Sequence, residues 1–390
     1  MKSKLPDVGT TIFTVMSRRA RELGALNLGQ GFPDYDIDQR LTELVAEAMR
    51  AGFNQYAPME GVMALREQIA RKIEACYGVS VDPETEITIT LGATEAIYSG
   101  VAALVGAGDE AIVFDPSYDS YDPSVRTVGG RCIHIPLQPP DFRYDWDRVR
   151  AAITDRTRLV MINSPLNPAC IVMTPGDLDE LAAIIRDRDI YVLSDEVYEH
   201  VVYDARRHCS VLAHPELRAR SIAVFSFGKT LHATGVRIGY AIAPPELTRE
   251  LRKVHQFNTF SIAHAMQQAI ANYLAEKPDV WRGLSDFFQK KRDRVRAALA
   301  TTGFRVPPAQ GTYFQLLDFS EFAPYTDDVT FAERLLVESG VALIPLAPFY
   351  KEPPPLRVVR LCVAKRDETL DEAADRLIRF SQRFQAGAQQ

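Results

Sequence analysis

Between residues 87 and 243 the chain alternates short β-branched, apolar runs with stretches of helical periodicity, and no other feature of its 390 residues narrows the fold as much. Strands are expected at 87–91, 111–114, 132–135, 159–163, 191–195, 222–226 and 238–243. Several are unbroken apolar runs without polar alternation, the mark of strands covered on both faces. With helical segments such as 94–105 between them, the order implies an open, largely parallel sheet with helices on both sides. The segment 61–77 puts Val62, Leu65, Ile69, Ile73 and Cys76 on one helical face. Thr174-Pro175-Gly176-Asp177 carries the cap, the first-turn proline and the acid of a helix start.

A single hydrophobic core stops growing at roughly 250–300 residues, so a second core is expected. From about residue 279 the pattern changes. A charged helix runs to about 300, Pro307-Pro308 breaks the chain, strands follow at 312–318 and 358–363, and helices at 328–339 and 369–383. The expected class is α/β. A large three-layer αβα domain covers residues 51–278, a smaller α+β domain covers 279–390, and an N-terminal segment, 1–50, has no strand and packs with the small domain.

The charge balance excludes some functions. With 45 basic and 51 acidic side chains, net −6, the chain lacks the basic surface that general binding to nucleic acid or anionic membrane needs. No apolar run is long enough to span a membrane, and residues 1–20 lack a secretory pattern. The five cysteines are odd in number and show no CxxC spacing, which fits reduced thiols in a cytoplasmic protein. The histidines form neither HExxH nor an i,i+4 pair, so no metal centre is expected. Gly228-Lys229-Thr230 ends like a P-loop, but Ala223 stands where its first glycine belongs. Gly29-Gln30-Gly31 lacks the third glycine of a dinucleotide fingerprint, and no G-x-S-x-G elbow occurs.

What remains is a set of polar residues at expected strand ends, where open α/β sheets bind ligands. Asp195 ends one strand, Lys229 and Asn167 follow two others, and Gly92-Ala93-Thr94-Glu95 turns from a strand into a helix N-terminus. Singly, these are an ordinary turn former, a solvated lysine and a helix start. Together they offer a nucleophilic amine, a carboxylate and an anion site, the needs of pyridoxal 5′-phosphate.

With these residues in view, the chain resembles the fold-type I, class I/II pyridoxal-phosphate aminotransferases over nearly its whole length. The resemblance is carried by Asn27–Asp34, Asn54-Gln55-Tyr56, Gly92-Ala93-Thr94-Glu95-Ala96, Asp115-Pro116-Ser117-Tyr118, Asn163-Ser164-Pro165-Leu166-Asn167-Pro168, Ser194-Asp195-Glu196-Val197-Tyr198, Ser226-Phe227-Gly228-Lys229-Thr230, Thr234–Tyr240 and Arg360-Leu361-Cys362-Val363. Within the family it is most similar to the methionine and the kynurenine/glutamine groups. The resemblance implies a mostly parallel seven-stranded sheet and a homodimer with sites at the subunit interface. It implies that Lys229 carries the cofactor as an imine and moves the reacting proton, its pKa lowered by neighbouring positive charges. Asp195 would pair with the ring nitrogen, Tyr198 and Asn167 would bond the ring 3′-oxygen, and Tyr118 would stack on the ring. Ala93, Thr94, Ser226 and Arg237 would hold the phosphate, with Tyr56 reaching in from the second subunit. Arg360, helped by Gly31 and Asn167, would take the substrate carboxylate.

The implied partners are thus small molecules, an α-amino acid and a 2-oxo acid. Leu166, Ala169-Cys170, Val236 and Glu95 depart from the common pattern. They bear on substrate choice and leave the cofactor residues intact. Ile12, Phe13, Tyr56, Thr94 and Phe349 are candidate pocket walls, mostly apolar, which favours methionine, aromatic amino acids, kynurenine or glutamine over aspartate. A cysteine-conjugate type β-lyase would use the same residues. A transcriptional regulator would need a DNA-binding segment, and only about 26 residues precede the glycine motif.

Overall fold

The computed structural model describes residues 3–387. Its central element is a seven-stranded sheet built from β2 (Ile87–Thr90), β3 (Glu110–Asp115), β4 (Arg131–Pro136), β5 (Thr157–Asn163), β6 (Tyr191–Asp195), β7 (Ser221–Ser226) and β8 (Gly239–Ile242), following the two-residue β1 (Leu26–Asn27). The order is β2-β8-β7-β6-β5-β3-β4. All neighbours are parallel except β8, which runs antiparallel to both β2 and β7. The unbroken apolar runs are explained by cover on both faces. In β3, Ile112 and Phe114 enter one core cluster, while Ala111 and Val113 enter another. The helix Gly92–Leu104 packs on the side of Ala111 and Val113. The helices Met63–Tyr77, Pro175–Ile185 and His264–Glu276 pack on the other. Thr174 caps its helix in a reciprocal capping box with Asp177, as the sequence pattern requires.

The smaller unit holds an antiparallel sheet of β9 (Phe314–Asp318), β11 (Ile344–Pro345) and β12 (Val358–Cys362), in the order β11-β12-β9. Helices Leu284–Ala298, Asp328–Ser339 and Asp367–Gly387 accompany it. The N-terminal segment does contain a strand, contrary to expectation. Leu26 and Asn27 pair in parallel with Val341 and Ala342 of β10 (Val341–Ala342). Two residues are too few to show periodicity, so the pairing was invisible in the sequence. The segment also divides its contacts. Phe32 and Asp34 bond Lys365, Arg366 and Thr369 of the small unit, whereas the helix Gln39–Arg50 packs on His264–Glu276. Two ion-pair clusters fasten that contact. Arg40 forks onto Glu276 at 2.8 and 2.9 Å, and Asp38 accepts from Tyr273 at 2.8 Å and from Lys277.

Candidate active site

The carboxyl ends of β5, β6 and β7 bring three of the expected residues to one edge. Asn163 and Asp195 are register partners, and the Asn163 amide donates to the Asp195 backbone carbonyl at 2.8 Å. The Asn163 side-chain oxygen then accepts the Asn167 backbone N–H at 2.8 Å, which fixes the loop that follows β5. Ser226 ends β7 and begins the one-turn helix Phe227–Thr230 that carries Lys229.

Asp195 is buried, with one oxygen held by the Tyr121 hydroxyl at 2.7 Å and the other by the Val197 N–H at 3.2 Å. Burial raises its pKa to about 6, against the lowering effect of those bonds and of Lys229. A carboxylate so placed gains stability from a cationic N–H set against it. Lys229 is half-buried. Its Nζ donates to the Tyr313 hydroxyl at 2.7 Å and lies 5.6 Å from the centre of the Tyr198 ring. Burial lowers its pKa to about 8, with smaller contributions from the charges of Arg237 and Arg360. The sequence reading assigned this shift to neighbouring charge, and desolvation is the larger cause. Tyr313 in turn donates to the Gly31 carbonyl, and the Tyr198 and Tyr313 rings meet edge to face at 5.0 Å.

An anion cradle adjoins this group. Gly92, at φ +69°, opens the helix Gly92–Leu104, which has no side-chain cap. A Cβ on Gly92 would meet Arg237 Nη2 at 2.7 Å, so only glycine lets the guanidinium approach the helix start. Gly239 closes from the other side, where a Cβ would lie 2.8 Å from the Ala93 nitrogen. Ala93 and Thr94 supply the next amides, Tyr118 is half-buried next to Thr94, and the Ser226 hydroxyl accepts the Gly228 N–H at 3.2 Å. Glu95, a departure from the family pattern, accepts the Leu91 N–H at 3.1 Å just before the helix start, and its other oxygen bonds Ser99 and His255.

Arg360 is fully buried on β12. Nη1 donates to the Asn167 side-chain oxygen at 2.5 Å and Nη2 to the Gly29 carbonyl at 3.0 Å, while Nε–H has no partner. Its guanidinium carbon lies 3.8 Å from the centre of the Phe314 ring, 5.2 Å from Phe13 and 5.6 Å from Phe349. A Cβ on Gly31 would strike Phe314 at 2.6 Å, so this aromatic collar also requires glycine there.

Tyr56 is the one expected site residue that stands apart. It is 81% exposed, its ring against Phe260. Tyr121 and Tyr313, which hold the carboxylate and the amine, were missed in the sequence. Tyr121 lies one turn beyond Tyr118, a spacing that could have flagged it. Tyr313 arrives from the small unit 84 residues after Lys229 and gives no local signal. Cavities of about 590 and 630 Å³ lie elsewhere, lined by residues between 136 and 150 and by Cys170 and Gln310, and hold none of these groups. The donor set locates the site, and it fits pyridoxal 5′-phosphate: a half-buried amine, a buried acid short of a cation, and an arginine at a helix start with no side-chain cap.

Known proteins agree. The family model described as aminotransferase class I and II matches residues 24–377. The methionine aminotransferase of Escherichia coli (strain K12) is 49% identical over 376 residues, 96% of this chain and 97% of that protein. A crystal structure from Escherichia coli, reported with a methionine aminotransferase function, superposes with a TM-score of 0.94 at 48% identity, covering 97% of this chain and 99% of the other. The N-succinyldiaminopimelate aminotransferase structure from Mycobacterium tuberculosis gives a TM-score of 0.92 at 38% identity, over 97% and 99% of the two chains. Human kynurenine–oxoglutarate transaminase 1 is 29% identical over 92% of this chain and 93% of its own. With its family, its fold and its donor set in agreement, the chain is a pyridoxal-phosphate-dependent aminotransferase of class I and II.

Proposed function

We propose that this aminotransferase takes its amino group from α-amino acids with neutral side chains and passes it to a 2-oxo acid in a ping-pong cycle. Methionine stands first among the donors, with aromatic amino acids, kynurenine and glutamine in the same class. The observation that carries the reading is the Arg360 guanidinium, fully buried in a collar of Phe13, Phe314 and Phe349. Such a site offers one planar fork for an α-carboxylate and apolar walls for what is attached to it. The 49% identity to a methionine aminotransferase supports the same choice. A β-lyase reaction would use the same groups and has no separate support.

When bound, pyridoxal 5′-phosphate supplies an electron sink that acidifies the Cα proton of the amino acid. The chain's residues do the rest. Lys229 Nζ would hold the cofactor at rest, and once free would carry the proton from Cα to C4′; a pKa near 8 makes it competent at neutral pH. Asp195, braced by Tyr121, would keep the ring nitrogen protonated. Tyr198 and Asn167 would bond the ring 3′-oxygen, and Tyr118 would stack on the ring. The Ala93 and Thr94 amides, Ser226 and Arg237 would hold the phosphate. Arg360, with Gly31 and Asn167 beside it, would orient the substrate carboxylate.

The working unit in this proposal is a homodimer in which Tyr56 reaches the neighbour's phosphate. Its exposure, with Phe257 86% and Phe260 47% exposed in the same region, supports that role. Mixing Tyr56→Phe with Lys229→Ala subunits should yield heterodimers with one unimpaired site. A fully active monomer at low concentration would refute sharing. A cytoplasmic location belongs to the same proposal, supported by five unpaired thiols and tested by cell fractionation. The donor class is tested by a half-reaction screen of twenty amino acids, following the cofactor's change from aldehyde to amine absorbance. Methionine should react fastest, and aspartate as the best donor would overturn the reading. Borohydride reduction should leave the pyridoxyl label on the Lys229 peptide.

A further inference from the structure

A cavity of about 370 Å³ opens beside the aromatic collar, its wall including Ile12, Tyr118, Asp119 and Phe349. Phe349 belongs to both, because its ring also lies 5.6 Å from the Arg360 guanidinium carbon and 5.5 Å from Phe13. Through Phe349 the cavity adjoins the collar that holds Arg360.

Four carboxylates line it. Three are neutralised. Asp7 pairs with Arg126 and, at 3.4 Å, with Lys351. Asp115 holds His134 at 3.0 Å and the Lys351 N–H at 2.8 Å. Asp122 pairs with Arg126 at 2.9 Å and His134 at 3.4 Å. Asp119 is half-buried and, among the described residues, has no ion-pair partner and accepts no hydrogen bond from another residue. Burial raises its pKa, and the charge of Arg360 opposes that rise, which places the two groups within electrostatic reach. The preceding residue, Tyr118, meets the Tyr121 ring at 5.8 Å, and Tyr121 holds Asp195. Asp119 thus combines electrostatic reach to Arg360 with a place next to Tyr118 on the segment that leads to Tyr121.

We infer that Asp119 is a specificity-determining residue, a fixed negative charge in the wall of the side-chain cavity that disfavours donors with anionic side chains. The inference rests on the neutral-donor reading above and names the group that enforces it. A dicarboxylic donor that sets its α-carboxylate on Arg360 brings its second carboxylate towards Asp119. Like charges a few ångströms apart in a partly dry site cost on the order of ten- to a hundred-fold in kcat/KM. Glutamine has the shape of glutamate without the charge, and its amide N–H can donate to the Asp119 carboxylate.

The experiment compares kcat/KM of the holoenzyme for methionine, glutamine, glutamate and aspartate in wild type, Asp119→Asn, Asp119→Ser and Asp119→Glu. Removing the charge should raise the glutamate-to-glutamine ratio about ten-fold or more, alike in the Asn and Ser variants, and Asp119→Glu should keep the wild-type ratio. Succinate should bind the Asn variant more tightly by a similar factor, read from the cofactor absorbance, while butyrate should not. A ratio within two-fold of wild type in both uncharged variants overturns the role of Asp119. So does an equal change in Asp119→Glu, which would assign the effect to shape. A wild-type enzyme that prefers aspartate to methionine refutes the neutral-donor reading itself, whatever the variants show.

Discussion

Replacing Arg360 by lysine separates charge from geometry at the substrate carboxylate. A guanidinium has five N–H donors. Two are engaged, with the Asn167 oxygen at 2.5 Å and the Gly29 carbonyl at 3.0 Å, and Nε–H is unpartnered. Three donors therefore remain, enough for a two-point contact with a carboxylate. A lysine in its place keeps the charge but is a single-point donor with three N–H groups in all. If it still satisfies Asn167 and Gly29, one is left for substrate. The expected loss is one charge-assisted hydrogen bond, about 1.5–3 kcal/mol, or roughly 10- to 100-fold in kcat/KM. Single-turnover kinetics with methionine, monitored by cofactor absorbance, measure it directly. The control is 3-methylthiopropylamine, which lacks the carboxylate and should react at a similar rate with both proteins. The reasoning is falsified if methionine keeps its kcat/KM within three-fold, or if the amine loses as much as methionine does.

Other outcomes follow from the same geometry. Tyr121→Phe removes the 2.7 Å bond to Asp195 and should raise that acid's pKa further, slowing the half-reaction by about ten-fold or more; turnover within two-fold of wild type would show that Val197 suffices. In cofactor-free protein the Lys229 amine is held near 8, below its ordinary 10.5, so it loses its proton as pH rises through about 8. The rate of cofactor capture should climb through that pH, and a midpoint near 10.5 would refute the burial argument. Glu199→Gln leaves Lys72 charged in a buried site where the two side chains are only 3% and 5% exposed; the expected cost is about 3–5 kcal/mol, read as a lower urea midpoint, and an unmoved midpoint would contradict it.

The part of the site that rides on the central sheet was legible because strand ends are local. The unbroken run 191–195 is β6 itself, and its final residue is the buried acid. Lys229 follows β7 for the same reason. The sheet order was less accessible. β8 enters between β2 and β7 in the antiparallel sense, and a run of six apolar residues has no direction written in it. The partners of the catalytic groups were hidden by distance along the chain. Tyr313 reaches Lys229 across 84 residues with nothing near it to mark the encounter, whereas Arg360 and Asn167, 193 residues apart, were brought together only by the family motifs that contain them. Of the collar around Arg360, Phe13 and Phe349 were read only as apolar walls and Phe314 was not named, because their packing onto one guanidinium joins three separate segments.

The chain passes between its two units in two places, at residues 34–39 and again at 277–284. Those crossings lie side by side. Asp38 on the first bonds Tyr273 and Lys277 at the second, and Arg40 forks onto Glu276. The clasp is not the only join, since Arg292 also bonds Asp204 and the Ser117 N–H donates to the Phe349 carbonyl. Both site contacts, Tyr313 with Lys229 and Arg360 with Asn167, span the same pair of units. A displacement of one unit against the other would therefore strain the hold on the amine and the carboxylate fork together.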